Sequence, residues 1–339
     1  MPTRRMLAWE VVTPGPIDSH PLQFAERAVP EPGPGQVLVK VSVCGVCRTD
    51  LHLTEGDLAP HRPRSVPGHE VVGRVESLGP DCRRLHVGQR VGLAWLAASC
   101  GRCRFCRQSR ENLCLDPRFT GWDTDGGFAE YAVADERFAY LLPDSFDDEA
   151  AAPLLCAGII GYRALRRSRL PAGGRLGIYG FGASAHLTAQ IALAEGATVH
   201  VLTRSPEAQA LALRLGAASA RDASDMPPEP LDAAILFAPV GTLVPVALAA
   251  LDRGGTLAIA GIYLSDIPSL NYQQHLFEER AVCSVTANTR ADGEELLALA
   301  DRLGVRPTTT PYRFDTTDQA LADLRHDRVT GAAVIRVAP

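Results

Sequence analysis

Four cysteines within fifteen residues constrain this chain more than any other feature: Cys100, Cys103, Cys106 and Cys114, in CGRCRFCRQSRENLC. The spacing C-x2-C-x2-C-x7-C lets one short loop aim several sulfurs at a single point. Four thiolates converging there form a closed tetrahedral zinc site, which ties down a loop and leaves no open position for a substrate. A bacterial iron–sulfur run would close with C-x3-C-P, whereas here the last gap is seven and Leu115 follows. A disulfide cluster belongs to secreted chains, and the start MPTRRMLAWEVV offers two arginines but no apolar signal core. Zinc with four thiolates carries about −2, and Arg102, Arg104, Arg107 and Arg110 are interleaved where they can offset it. A nucleic-acid zinc finger is the competing reading of those arginines. A net charge of −5 argues against it.

At 339 residues the chain is long enough for two cores. No apolar run approaches the length that spans a bilayer, so no membrane partner is expected. Thiols kept free to bind metal point to the cytoplasm. Up to about residue 150 the sequence reads as short strands broken by Gly and Pro, such as QVLVKVSVCGV, HEVVGRVESLG and GQRVGLAWL. That is an irregular all-β domain. From about Ala150 to residue 290, apolar strands (RLGIYG, ATVHVLT, AAILFAP, TLAIAGIY) alternate with alanine-rich helices (SAHLTAQIALAEG, EAQALALRLG). Strands separated by helices imply a parallel sheet covered on both faces. The last fifty residues hold two helical stretches and the strand AAVIRVA, with no further βα unit to join, and are expected to return to the first domain. The fold class is therefore α/β plus β.

Gly180-Phe181-Gly182-Ala183-Ser184-Ala185 follows a strand and opens a helix, the context that makes G-x-G-x-x-A a dinucleotide fingerprint. Gly180 allows the tight turn, Gly182 lets the backbone approach a pyrophosphate, and Ala185 is small enough for close helix–strand packing. An NAD-type site expects Asp or Glu at the end of the next strand. Here stand Thr203, Arg204 and Ser205. A guanidinium flanked by hydroxyls suits a 2′-phosphate, which tilts the reading of the NAD(P)(H) site slightly to NADP(H). The alternative is NAD, with Arg204 stacked on the adenine.

A second concentration of ligand types runs through Cys44, Cys47, Asp50, His52, His69 and Glu70, with Cys156 far downstream. Two sulfurs and an imidazole would make an open, catalytic zinc site. At this point the chain resembles the zinc-dependent medium-chain alcohol dehydrogenases, through GVCRTDLH at 45–52, PGHEVVGRV at 67–75, the four-cysteine run, LLCAG at 154–158 and GFGASA at 180–185. The resemblance implies a GroES-like catalytic domain (1–152 and 289–339, zinc lobe about 97–115) interrupted by a doubly wound Rossmann domain (153–288). It makes Cys47, His69 and Cys156 ligands of a catalytic zinc, so that two zincs are expected per chain. Cys44, Cys82 and Cys283 are left as packing residues. It implies hydride transfer between a small alcohol or aldehyde and a nicotinamide. It gives Thr49 and His52 as proton relay, Asp50 as the carboxylate orienting His69, Glu70 as a neighbour of the zinc, and Arg48 as a pyrophosphate contact. Many relatives carry Arg after the glycine matching Gly331; here Ala332 stands there. Trp95 matches a substrate-pocket position, where an indole favours slim primary alcohols, and Trp122 is a further pocket candidate. A polyol dehydrogenase on this scaffold is the first alternative, disfavoured by Arg48-Thr49 and by the four-cysteine run. A catalytically silent zinc and dinucleotide sensor is the second, disfavoured by the full ligand and relay set. A homodimer or homotetramer is expected, with the strand near Ala281–Ala287 as candidate edge, and no nucleic-acid partner.

Overall fold

Val37, Val39 and Val41 are all buried along the strand Gln36–Val46, since β-branched side chains at every second position suit a pleated sheet packed on one face. That strand is the spine of a seven-stranded sheet in the computed structural model, which describes residues 4–338. Residues 1–3, the head of the N-terminal stretch read above for a signal, lie outside the described residues. On one edge the spine pairs antiparallel with Glu70–Leu78, followed by Arg90–Leu93 and Ala139–Leu141. On the other it pairs with Tyr131–Asp135 near its start and Ala332–Arg336 near its end, and Thr309–Arg313 runs parallel to the latter. Leu51, Val71, Val91, Phe128 and Ile335 fill the core of this unit, with Cys44 among them.

The chain folds as two compact units. The first runs to Cys156 and resumes at 287–301 and from Pro307; the second comprises 157–286 and 302–306. The first unit thus ends at 156, against the 152 expected from sequence, and resumes at 287 against 289. The physical reason for the first shift is the turn Ala152–Leu155, which packs on the sheet: a Cβ at Gly92 would meet Leu155 Cδ2 at 2.6 Å. The all-β reading of this region also missed a helix, Arg48–Glu55, which carries Thr49, Asp50 and His52.

The second unit is a six-stranded parallel sheet in the order Ser219–Arg221, Thr198–Leu202, Arg175–Tyr179, Leu231–Leu236, Leu251–Ile259 and Ala281–Ser284. Chain order reverses direction between Arg175–Tyr179 and Leu231–Leu236, which makes the ends of those strands the topological switch point where such sheets bind ligands. Gly180 sits there with φ +84°, a left-handed backbone, and a Cβ on it would stand 2.9 Å from the Ala238 nitrogen.

Candidate active site

Cys47 ends the spine strand's run and caps the helix Arg48–Glu55. Its N–H donates to Asp50 Oδ2 at 2.9 Å, so the helix begins on a carboxylate three residues in. The other oxygen, Asp50 Oδ1, accepts from Gly68 N–H (2.9 Å) and from His69 Nδ1–H (2.8 Å). Asp50 and His69 are both fully buried. Because Nδ1 is committed to Asp50, the ring's other nitrogen, Nε2, faces the sulfurs; it is buried and has no hydrogen-bond partner. Cys47 Sγ lies 3.8 Å from Cys156 Sγ. Zn–S bonds of about 2.3 Å in a tetrahedron put sulfurs about 3.8 Å apart. Ligand atoms of Cys47, His69, Glu70 and Cys156 all lie within 4.8 Å of one another. Glu70 reaches this point because residue 45 is glycine: a Cβ there would overlap the Glu70 carboxylate.

The electrostatics match a centre built for a cation. The Cys47 thiol is held well below its ordinary range, first by the Cys156 sulfur hydrogen-bonded to it and then, against burial, by His69. The same pairing, with burial, pushes Cys156 well up. Burial, then the negative charge of Cys47, pushes Glu70 well up. Burial disfavours a charged His69, yet Asp50 and Cys47 outweigh it and raise its pKa. A buried cluster with more acidic groups than it can ionise takes up protons; a divalent cation can replace them. The donor set and the orphaned Nε2 therefore fit zinc.

Cys100, Cys103, Cys106 and Cys114 also bring their sulfurs within 4.8 Å of one another. Cys103 and Cys106 Sγ are 3.5 Å apart, Cys100 and Cys106 Sγ 3.9 Å. Backbone N–H groups point at the sulfurs: Cys103 at Cys100 (3.4 Å), Cys106 at Cys103 (3.5 Å), and Cys100 and Asp116 at Cys114 (3.3 and 3.4 Å). Such donors stabilise thiolate, and the amides of Cys106 and Leu115 bring the Cys103 thiol down to about 6. All nine cysteines are free. Cys82 packs on the core of the first unit, and Cys283 Sγ lies 3.6 Å from the Arg167 carbonyl.

Thr49 is buried, with Oγ1 3.8 Å from Cys47 Sγ. His52 Nδ1 meets Asp57 Oδ2 at 2.8 Å, a partner the sequence reading did not single out; the signal was Gly56, which ends the helix in the left-handed region and turns the chain back. Arg48 is half-exposed and pairs with Asp327 at 2.5 Å. In the second unit, Gly182 caps the helix Ala183–Ala194, a Cβ on it would meet nothing within 4 Å, and Ala185 is fully buried. A bare helix N-terminus with open space above glycine suits an approaching phosphate. Thr203 is buried, while Arg204 and Ser205 are exposed, and Ser205 Oγ caps the next helix by accepting from Ala208 N–H. Trp95 presents its ring edge-on to His69, with centroids 5.1 Å apart.

Comparison with known proteins shows the family. Residues 33–144 match the alcohol dehydrogenase GroES-like domain family and residues 185–302 the zinc-binding dehydrogenase family. The chain is 57% identical to "Probable alcohol dehydrogenase AdhA" of Mycobacterium tuberculosis (strain CDC 1551 / Oshkosh), covering 99% of this chain and 98% of that one. It is 38% identical to an alcohol dehydrogenase of Rhizobium meliloti (strain 1021), covering 93% and 95%. Among solved structures, a cinnamyl alcohol dehydrogenase of Sorghum bicolor superposes with a TM-score of 0.88 at 28% identity, over 98% of each chain.

Proposed function

The chain belongs to the zinc-dependent medium-chain alcohol dehydrogenases, NAD(P)-dependent oxidoreductases acting on alcohols and aldehydes, and from that premise we propose how its own residues carry the reaction. Cys47, His69 and Cys156 hold a catalytic zinc, and Cys100, Cys103, Cys106 and Cys114 hold a second, structural one. The observation that carries this assignment is the buried, unpartnered His69 Nε2 beside two sulfurs 3.8 Å apart. When bound, the catalytic zinc supplies a Lewis acid for the substrate oxygen and the nicotinamide exchanges a hydride with the substrate carbon. Asp50 fixes the tautomer and angle of His69. Glu70, kept close by Gly45, stands ready as an alternative oxygen donor. The Thr49 hydroxyl would take the substrate proton as it gives up its own to the cofactor ribose, and His52, held at Nδ1 by Asp57, would carry that proton on towards solvent.

Gly180, Gly182 and Ala185 receive the cofactor's pyrophosphate, with Arg48 as a cationic contact. Exposed Arg204 beside Thr203 and Ser205 selects NADP(H). Trp95 narrows the pocket towards small, mainly primary alcohols and their aldehydes. The protein works as a homodimer or homotetramer; its outer strand Ala281–Ser284 has one sheet neighbour and exposes Val282. Nine free thiols suit the cytoplasm, and among the described residues no helix is long and apolar enough to cross a membrane.

Steady-state kinetics on a series of alcohols and aldehydes, in both directions with NAD and NADP, test the whole reading. Short primary substrates with NADP(H) are expected to give the highest kcat/KM, and Thr203→Asp to lower the NADP:NAD ratio. Preference for polyols would contradict the substrate class. A Thr203→Asp variant with an unchanged ratio would remove this strand end as the selector.

A further inference from the structure

We propose that His61 is a positioning residue that fixes the aromatic wall beside the candidate zinc site and thereby sets which alcohols are accepted. The inference rests on the reading of Trp95 as a pocket residue and extends it to a residue in a different loop. Trp95 lies nearly parallel to Phe119 (centroids 4.8 Å, 18°) and to Trp122 (6.0 Å, 16°), so its indole is set by these two rings as well as by its own backbone. Trp122 in turn carries the His61 imidazole stacked on it at 4.0 Å and 19°, the tightest ring contact of the group. The rings form a continuous run from His61 through Trp122 and Trp95 to His69.

An exposed histidine ordinarily turns freely, and the His61 side chain is 48% exposed. Here it is restrained twice. Its face lies on Trp122, and its Nδ1 meets Asp123 Oδ1 at 2.7 Å. Asp123 is itself anchored, since its second oxygen accepts from Phe119 N–H at 2.8 Å. The Trp122 indole N–H donates to the Ala59 carbonyl at 2.9 Å, which fastens the same loop that carries His61. The stretch 59–61 and the stretch 119–123 are thus stapled together by two hydrogen bonds and one stack, and the staple ends on the ring against which Trp95 rests. Removing the imidazole strips the outer stack from Trp122 and leaves it held by its indole hydrogen bond and its two ring neighbours, which lets Trp95 retreat from His69 and opens room for broader substrates.

The test is the ratio of kcat/KM for cyclohexanol to that for 1-butanol, measured in the wild type, His61→Ala, His61→Phe and Trp95→Ala enzymes, with zinc content and near-ultraviolet circular dichroism recorded for each. We expect the ratio to rise about threefold to tenfold in His61→Ala, the size of one aromatic pair interaction, with a weaker tryptophan dichroism signal and unchanged zinc. His61→Phe, which keeps a ring on Trp122, should stay within about twofold of wild type on the same scale. Trp95→Ala should raise the ratio by about tenfold or more. If Trp95→Ala shifts the ratio and His61→Ala does not, the inference about His61 falls alone. If neither shifts it, the reading of Trp95 falls and takes the inference with it. A His61→Phe enzyme that behaves like His61→Ala would remove stacking as the cause.

Discussion

Asp50 must satisfy three donors with one carboxylate in a place without water: the N–H groups of Cys47 and Gly68, and Nδ1–H of His69. Removing it orphans all three and frees the imidazole to rotate. Asp50→Ala is therefore expected to weaken the catalytic zinc about 10- to 100-fold, read by competition with a chelator; an unchanged affinity would show that Asp50 does not orient the ligand. Gly45 answers to a steric requirement. Gly45→Ala forces the Glu70 carboxylate aside, so we expect about 1–3 kcal/mol of lost stability in thermal melts, and a variant that melts like wild type would mean Glu70 repacks without strain. These roles were unequally legible. Cys47 and Cys156 stand 109 positions apart, and no spacing rule joins them; the resemblance did. Gly45 sat in full view inside GVCRTDLH, but its reason is a side chain from another strand. His61 lies in EGDLAPHRP, which has no period and no motif, so its stack on Trp122 could not be read before the loops were seen together.

The strand Gln36–Val46 was legible because alternating valines say strand and little else. The helix Arg48–Glu55 was not. It is eight residues long, its apolar positions are sparse, and its cap is a cysteine where Ser, Thr, Asp or Asn is the usual signal. The residue proposed as a metal ligand doubles as the cap, so the usual local signal is absent there. The convergence of the four cysteines in the lobe was legible from their spacing, but the lobe's attachment was not. Glu111, buried in the lobe, accepts from the Arg290 backbone N–H and from Arg290 Nε, each at 3.0 Å, tying the lobe to the start of the helix Arg290–Leu303. Burial alone would raise its pKa, but the Arg290 backbone N–H and guanidinium outweigh burial and leave it lowered. A carboxylate with a lowered folded pKa contributes stability above its unfolded value of about 4.3, and that stability is lost as pH falls through the folded value. Because the Arg290 side chain is half-exposed, Glu111→Gln should cost only about 1–2 kcal/mol near neutral pH. The gap in Tm between wild type and variant should then close as pH drops below about 4.3. A gap that stays constant as the pH falls from neutral to about 2, well below the unfolded value, would rule out the charge as the source.

At the scale of the whole molecule, six of the nine cysteines fall into two metal-ready groups, four in the lobe and two with His69 and Glu70 at the other centre, while Cys44 is packed in the core. The two groups differ in what surrounds them. The lobe closes four sulfurs around one point, with backbone amides as its support, while the other centre mixes sulfur, imidazole and carboxylate and keeps a hydroxyl from Thr49 nearby. That contrast is the basis for assigning architecture to one and chemistry to the other. The most direct test measures zinc per chain, Tm and alcohol turnover together in wild type, Cys47→Ala and Cys103→Ala. We expect about two zincs in the wild type. Cys47→Ala should lose one zinc and all turnover while melting close to wild type, and Cys103→Ala should lose the other with a marked fall in Tm, activity declining only as the fold does. A Cys47→Ala enzyme that keeps its turnover, or a Cys103→Ala enzyme that keeps its Tm, would contradict the division of labour between the two centres.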